Sequence, residues 1–195
     1  TRLNLILSCI MKITLPLSYT EHDIVQACVL RKRWAQKLIY EQYYSAMLGV
    51  CLRYASNQED ALDILHDGFI KVFKNIHRYE QGTSLNAWIR RLMINTSIDY
   101  YRKLIKRRTE NIDTVLDLKG KDVDAVSKCS EKEILGAVQS LTPAYRAVFN
   151  LYVLEGYSHK EIGQELSISE NTSKSQYSRA RAYLKKQLEE LKFER

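Results

Sequence analysis

Asp60, Asp63, His66 and Asp67 bring three carboxylates and an imidazole together in the stretch NQEDALDILHDGFIKVF. At 3.6 residues per turn the three aspartates share one helical face and His66 lies beside them. One chemistry for such a set is metal ligation, with Asp63, His66 and Asp67 serving a metal-dependent phosphohydrolase. That reading lacks ligands: His22, His77 and His159 are the remaining histidines, and none stands in a matching motif. Leu62, Ile64, Leu65, Phe69, Val72 and Phe73 are interleaved with the acids, which predicts a helix anchored in a core with an acidic edge outward. Such an edge is either simply solvated or offered to a protein with a basic groove.

A second candidate surface is cationic. The stretch WIRRLMINTSIDYYRKLIKRR, Trp88 to Arg108, mixes arginines and lysines with large apolar residues around a single acid, Asp99. At ~100° per residue Ile94, Ile98, Tyr101 and Ile105 fall on one side and Ile89, Met93, Tyr100 and Leu104 on another. Arg91, Asn95, Asp99, Arg102 and Lys106 are left as a narrow polar stripe. The expected helix is wedged among neighbours and shows one edge, either merely solvated or built to meet an anion.

A third candidate lies near the C-terminus. Thr142 before Pro143 supplies an N-cap oxygen and a first-turn proline, so a helix is expected through AYRAVFNLYVLE to Gly156. Ser158 and Glu161 have capping-box spacing for a short helix over SHKEIGQEL. Ser167 to Glu170 then turn the chain, and Ser169 can cap a last long helix. Two helices joined this way form a helix-turn-helix. Gln176, Tyr177, Ala180, Tyr183 and Leu184 are expected to pack inward. Lys174, Ser175, Ser178, Arg179, Arg181 and Lys185 face the other way, where arginine and lysine can donate to guanine in a major groove. Lys174, Ser175 and Arg179, nearest the helix start, are the expected base readers; Arg181 and Lys185 are better placed for phosphates.

The elements that must carry these surfaces are helical. The 195 residues contain two prolines and seven glycines, and no alternating apolar run is bounded by turn residues, so an all-α protein is expected. Its length allows one large or two small domains. Net charge is +7 and uneven: residues 1–108 carry +8, residues 109–135 carry −3 and residues 136–195 carry +2. The expected organisation is an N-terminal extension over 1–19, a helical domain over 20–108, an acidic flexible linker over 109–135 and a second small helical domain over 136–195. The basic balance points to an anionic partner.

Cys9, Cys28, Cys51 and Cys129 are far apart, which argues against a zinc site or a disulfide framework and fits a reducing cytoplasm. No segment approaches the ~18 apolar residues of a membrane span, so no membrane insertion is expected. The opening TRLNLILSCIMKITLPL is interrupted by Lys12 and lacks a cleavage site, so it is not expected to direct export, and residues 1–10 read as an extension before Met11. No phosphate-binding loop, G-x-S-x-G or G-x-G-x-x-G occurs. The residues therefore give no support to catalysis, and no metal or other cofactor is expected.

Taken together the three stretches resemble the sigma factors of bacterial RNA polymerase, in particular the small extracytoplasmic-function (ECF) group. EDALDILHDGFIKVF is similar to that family's polymerase-binding helix, LNAWIRRLMINTSIDYYRK to its F-x-x-W-L-x-x-I-A-x-N-x-x-I-D-x-x-R-[KR] helix, and YSHKEIGQELSISENTSKSQYSRARAYLKK to its promoter-reading helix-turn-helix. The resemblance covers about Glu21 to Leu191, in the family's order and spacing. It implies a cytoplasmic, non-enzymatic factor that binds core RNA polymerase and promoter DNA, with an anti-sigma factor as a further partner. Asp60, Asp63, His66, Asp67 and Phe69 would face the polymerase clamp. Arg91, Asn95, Asp99, Arg102 and Lys106 would lie along the melted minus-ten strand, with the loop containing Tyr79, Gly82 and Ser84 capturing a flipped base. Lys174, Ser175, Ser178, Arg179 and Arg181 would bind the minus-thirty-five element. His66 stands where glutamine is usual, Ser167 and Asn171 where glycine is, Ser173 where valine is, and Gln176-Tyr177 where Arg-Leu is. The rival reading is a stand-alone helix-turn-helix regulator whose N-terminal domain senses a ligand.

Overall fold

The computed structural model describes residues 19–110 and 131–193. Residues 1–18 of the N-terminal extension and most of the acidic linker, with Cys9 and Cys129, lie outside the described residues. Among the described residues every regular element is helical. Helix α1 (Glu21–Val29) starts at Thr20, whose hydroxyl accepts from the Asp23 amide while the Asp23 carboxylate accepts from the Thr20 amide. Such a reciprocal pair satisfies two donors that the first helical turn leaves open. Helices α2 (Arg33–Tyr54) and α3 (Gln58–Asn75) follow, the second capped by Asn57. A 3-10 turn (Ile76–Arg78) and a loop lead into α4 (Leu85–Glu110).

Helix α3 buries Ala61, Ile64, Leu65, Gly68, Phe69 and Val72, the one-sided spacing its sequence predicts. Gly68 sits against α4, where a Cβ would lie 2.2 Å from the Met93 sulfur. Helix α4 is buried over most of its girth: Leu85, Ile89, Met93, Ile94, Ile98 and Tyr101 all belong to the core. Thr96 and Ser97 are buried too, and return their hydroxyls to the Leu92 and Met93 carbonyls one turn back.

The second group comprises α5 (Glu131–Ser140), α6 (Pro143–Phe149), a π turn (Asn150–Leu154), α7 (His159–Leu166) and α8 (Glu170–Phe193). Thr142 and Ser158 cap α6 and α7. Helix α4 runs to Glu110 and α5 starts at Glu131. The helix expected through Glu155 gives way to a π turn from Asn150.

The two groups pack on each other. Ala147, Val148, Leu151, Ile162 and Leu166 join the same buried cluster as α1 to α4, while Ala137, Val138, Leu141, Ala180 and Leu184 form a smaller one. The seam has a polar logic. A helix leaves its last carbonyls without intrahelical partners, and at the end of α2 three of them are met from the second group. Gln139 donates to Leu52 O at 2.9 Å, Asn150 to Arg53 O at 2.6 Å and Arg146 to Tyr54 O at 3.3 Å. Arg146 also donates to Ser56 Oγ at 3.1 Å and, within its own group, to Leu141 O at 2.8 Å. Arg90 of α4 grips Glu155 with both terminal nitrogens, at 2.5 and 2.9 Å, and the Glu155 side chain is only 2% exposed.

Candidate nucleic-acid interface

Helix α3 turns Asp63, His66 and Asp67 to solvent, with Asp60 half-buried beside the Asn57 cap. Phe69 does not join them. It is 2% exposed and packs on Tyr40 and Phe73, so it supports this face from beneath. Ile70, half exposed, continues the stripe at the spacing of three and four, and sequence reasoning missed it although the spacing was there to read. Among the described residues no group of three or more His, Cys, Asp or Glu could hold a metal ion, so the phosphohydrolase reading finds no ligand set. Burial pushes the Cys28 thiol up to about 11 and the Cys51 thiol to about 12, which keeps both protonated and poor as nucleophiles.

Between α3 and α4 lies a groove of about 210 Å³ lined by Asp63, Asp67, Lys71, Asp99 and Lys103 among others. It joins the acidic face of one helix to the polar stripe of the next. Along that stripe Arg91, Asn95, Arg102 and Lys106 are exposed, and Asp99 is half-buried where Lys71 donates to it at 2.7 Å. Arg102 reaches Asp99 at 3.3 Å and is also held by α7. Its Nε donates to the Glu165 carbonyl at 2.9 Å, one terminal nitrogen meets the same carbonyl, and that nitrogen lies 3.2 Å from the Glu165 carboxylate. In the docked arrangement the stripe is thus partly occupied by the second group.

The loop over 79–84 starts α4, with Ser84 accepting from the Ala87 amide at 3.3 Å. Gly82 takes φ +87°, a backbone region that glycine enters without steric cost. Gly82 and Ser84 are exposed, but Tyr79 is 7% exposed with its ring against Trp88. Tyr79 is a pillar of the loop, and its face to solvent is made by the residues that follow.

On α8 Lys174, Ser175, Ser178, Arg179 and Arg181 are all exposed. At ~100° per residue Arg181 falls on the Lys174 side and Arg179 on the other flank. Lys174 pairs with Glu170 at 2.7 Å, and that bond holds the Glu170 carboxyl below its usual range. Arg179 leans toward the Tyr145 hydroxyl at 3.5 Å. The inward side differs from expectation. Ser173 is fully buried and pairs with His159 Nδ1 at 3.0 Å, whereas Tyr183 is 41% exposed. Its seven-residue spacing from Ala180 placed Ser173 inward, and its polarity hid that. Ser167 ends α7 at φ 56°, and a Cβ on Gly163 would meet Ile168 O at 2.8 Å, so the turn between α7 and α8 is tightly closed.

Two family models match the chain: Sigma-70 region 2 over residues 39–108 and Sigma-70, region 4 over residues 131–184. The ECF RNA polymerase sigma factor SigM of Bacillus subtilis is 31% identical over 149 residues, covering 75% of this chain and 91% of that protein. SigE of Mycolicibacterium smegmatis is 28% identical over 152 residues, covering 75% of this chain and 59% of the relative. The sigma-E factor of Haemophilus influenzae is 22% identical over 184 residues, with 88% and 97% covered. Among solved structures, the sigma factor RpoE of Bartonella quintana, in complex with the anti-sigma factor NepR, superposes with a TM-score of 0.50 at 21% identity, covering 78% of this chain and 96% of that one.

Proposed function

The chain belongs to the ECF group of RNA polymerase sigma factors, and on that premise we propose how its surfaces divide the work of promoter-specific initiation. The acidic face of α3, Asp60, Asp63, His66 and Asp67 with Ile70 among them, docks on core polymerase. The stripe of α4, Arg91, Asn95, Asp99, Arg102 and Lys106, follows the melted minus-ten strand. Loop 79–84 takes up a flipped base, and the outward edge of α8 reads the minus-thirty-five element as duplex. The carrying observation is that one small core presents an acidic face on α3 and, on the neighbouring α4, an exposed polar stripe bearing Arg91, Arg102 and Lys106, with Asp63, Asp67, Lys71, Asp99 and Lys103 lining the groove between the two helices. One surface suits a protein and the other a nucleic acid.

A helix that helps to separate strands must stay rigid while its edge holds unpaired nucleotides. The buried flanks of α4 supply that rigidity, and Arg91, Arg102 and Lys106 supply attraction to phosphate. Unstacking a base costs a few kcal/mol, which the receiving surface must return. No step of this work needs bond-making by the chain, so we assign it no enzymatic activity and no cofactor. No described helix is long and apolar enough to cross a membrane; the cytoplasm, where polymerase works, is the compartment the reading requires. An anti-sigma partner remains an expectation of the family resemblance.

The docked arrangement has a geometric consequence. Two elements named for positions ten and thirty-five lie about 25 base pairs apart, roughly 85 Å at 3.4 Å per pair. A docked body of this size is roughly 40 Å across. The groups must therefore separate at the promoter, which releases Arg102 from Glu165. With dyes at exposed Ala46 and Gln164, energy transfer is expected to be high in the free chain and to collapse when polymerase and promoter are added. Transfer unchanged in transcribing complexes would contradict the division of work.

Base and phosphate contacts on α8 separate by their sequence dependence. Arg179→Ala is expected to cost ~1–3 kcal/mol at the upstream duplex and to relax its preference there, whereas Arg181→Ala should weaken all sequences alike. Competition binding with single-base variants of the upstream element distinguishes the two. An Arg179→Ala chain with unaltered preference would move base reading to Lys174 and Ser178.

A further inference from the structure

The loop over 79–84 is tied to a helix that lies almost sixty residues earlier in sequence. Glu21 Oε1 is 2.9 Å from the Tyr79 hydroxyl, and His22 Nδ1 is 2.6 Å from Gln81 Oε1. With that amide oxygen as acceptor, His22 Nδ1 carries the proton. The Tyr79 hydroxyl also lies 2.6 Å from the Thr83 carbonyl. A tyrosine has one hydroxyl proton, so it donates to only one of these acceptors at a time. One position of the proton closes the loop on itself, and the other fastens it to α1. Burial and the bond to Glu21 raise the Tyr79 hydroxyl above its ordinary range, so it stays a donor throughout.

Neither Glu21 nor His22 is needed to hold α1 in place. That helix is anchored by Val25, Ala27 and Cys28, all buried, and its first turn is closed by Thr20 and Asp23. Glu21 and His22 are exposed and add nothing to the core. Both of their long-range bonds go to the loop, one at its first residue and one just before Gly82. A loop that turns through a positive-φ glycine samples several shapes unless something outside it selects one.

We infer that Glu21 and His22 are positioning residues that hold loop 79–84 in the shape that receives an unpaired base, so that α1 sets how strictly the minus-ten element is read. This rests on the proposed role of the loop in base capture. Glu21 acts through Tyr79, and His22 through Gln81. Gly82, Thr83 and Ser84 are left to form the face that the base meets.

The test uses the full chain with bacterial core polymerase and fork-junction DNA carrying each of the four bases at the unpaired minus-ten positions. Glu21→Ala should reduce the ratio of best to worst base by about tenfold, a change in line with losing one charge-assisted hydrogen bond. Its affinity for core polymerase and for upstream duplex should not change. Glu21→Gln, whose amide oxygen accepts the same bond, should restore most of the ratio, and a lost packing contact would not show that pattern. His22→Ala should cost about threefold. Amide exchange at Thr83 and Ser84 should quicken in Glu21→Ala while that of the α4 core stays slow. A Glu21→Ala chain that discriminates as the parent does, or whose loop amides exchange no faster, overturns the inference. If the parent chain starts transcripts yet shows no base preference at any melted position, base capture by this loop is itself wrong, and the inference falls with it.

Discussion

With Asp63 and Asp67 both changed to lysine, the chain is expected to leave co-purification without polymerase core while melting at the temperature of the parent. The two changes reverse the sign of an exposed face, from two negative charges to two positive. Like charges facing each other across an interface cost several kcal/mol, and close interfacial charge pairs couple by about 1.5–7 kcal/mol. The combined change is enough to lower affinity by more than a thousandfold. The fold should be spared because neither side chain contributes to the core, which α3 reaches through Ile64, Leu65, Phe69 and Val72. Lysine is also a good helix former. Loss of the Asp67 carboxylate opens no buried hole. Retained co-purification would mean that core polymerase is held elsewhere, and a collapsed melting temperature would mean that the face is structural.

Replacing Arg146 with alanine should cost ~3–5 kcal/mol of stability, a large part of the 5–15 kcal/mol that holds a domain folded. Arg146 is 3% exposed, and its donors serve carbonyls of Tyr54 and Leu141 and the Ser56 hydroxyl. Removing the guanidinium takes that donor from the buried Tyr54 and Leu141 carbonyls, each worth ~1–3 kcal/mol, and leaves a cavity besides, while the exposed Ser56 hydroxyl can turn to water. Arg146→Met fills the cavity but not the hydrogen bonds, so it should recover only the packing part. Urea unfolding of the three chains measures the difference. A loss under ~1 kcal/mol for Arg146→Ala would show that water replaces the guanidinium freely and that the seam is looser than its geometry.

What could be read from the sequence was what is local. The caps at Thr142 and Ser158, the turn at Ser167 and the buried side of α3 follow from residue type and spacing over a few positions. The wedged character of α4 was legible for the same reason, since apolar residues on two sides leave no other outcome. What escaped involves partners far apart in the chain. Arg146 has the type of a surface cation, and its contacts some ninety residues away, at Tyr54 and Ser56, together with the nearby Leu141 carbonyl, account for its burial. Asn150 lies where a plain helix was expected, and its bond to Arg53 O accompanies the π turn. Position in a motif gives Phe69 and Tyr79 outward roles, yet both rings are buried. Nothing within α1 marks Glu21 either, because its partner, Tyr79, lies in a loop after α3.

The same division separates the sigma reading from the stand-alone regulator. Both predict the helix-turn-helix, and they differ in what the first group and its acidic face are for. A stand-alone regulator binds its duplex operator tightly by itself. A sigma factor acts through the enzyme that carries it.

Run-off transcription with bacterial core polymerase, the purified chain and a library of genomic fragments tests that difference most directly. The account predicts discrete transcripts from a limited set of start sites, sharing sequence near ten and thirty-five base pairs upstream and absent when the chain is left out. A chain that neither associates with the core enzyme nor directs any transcript to a defined start would contradict it.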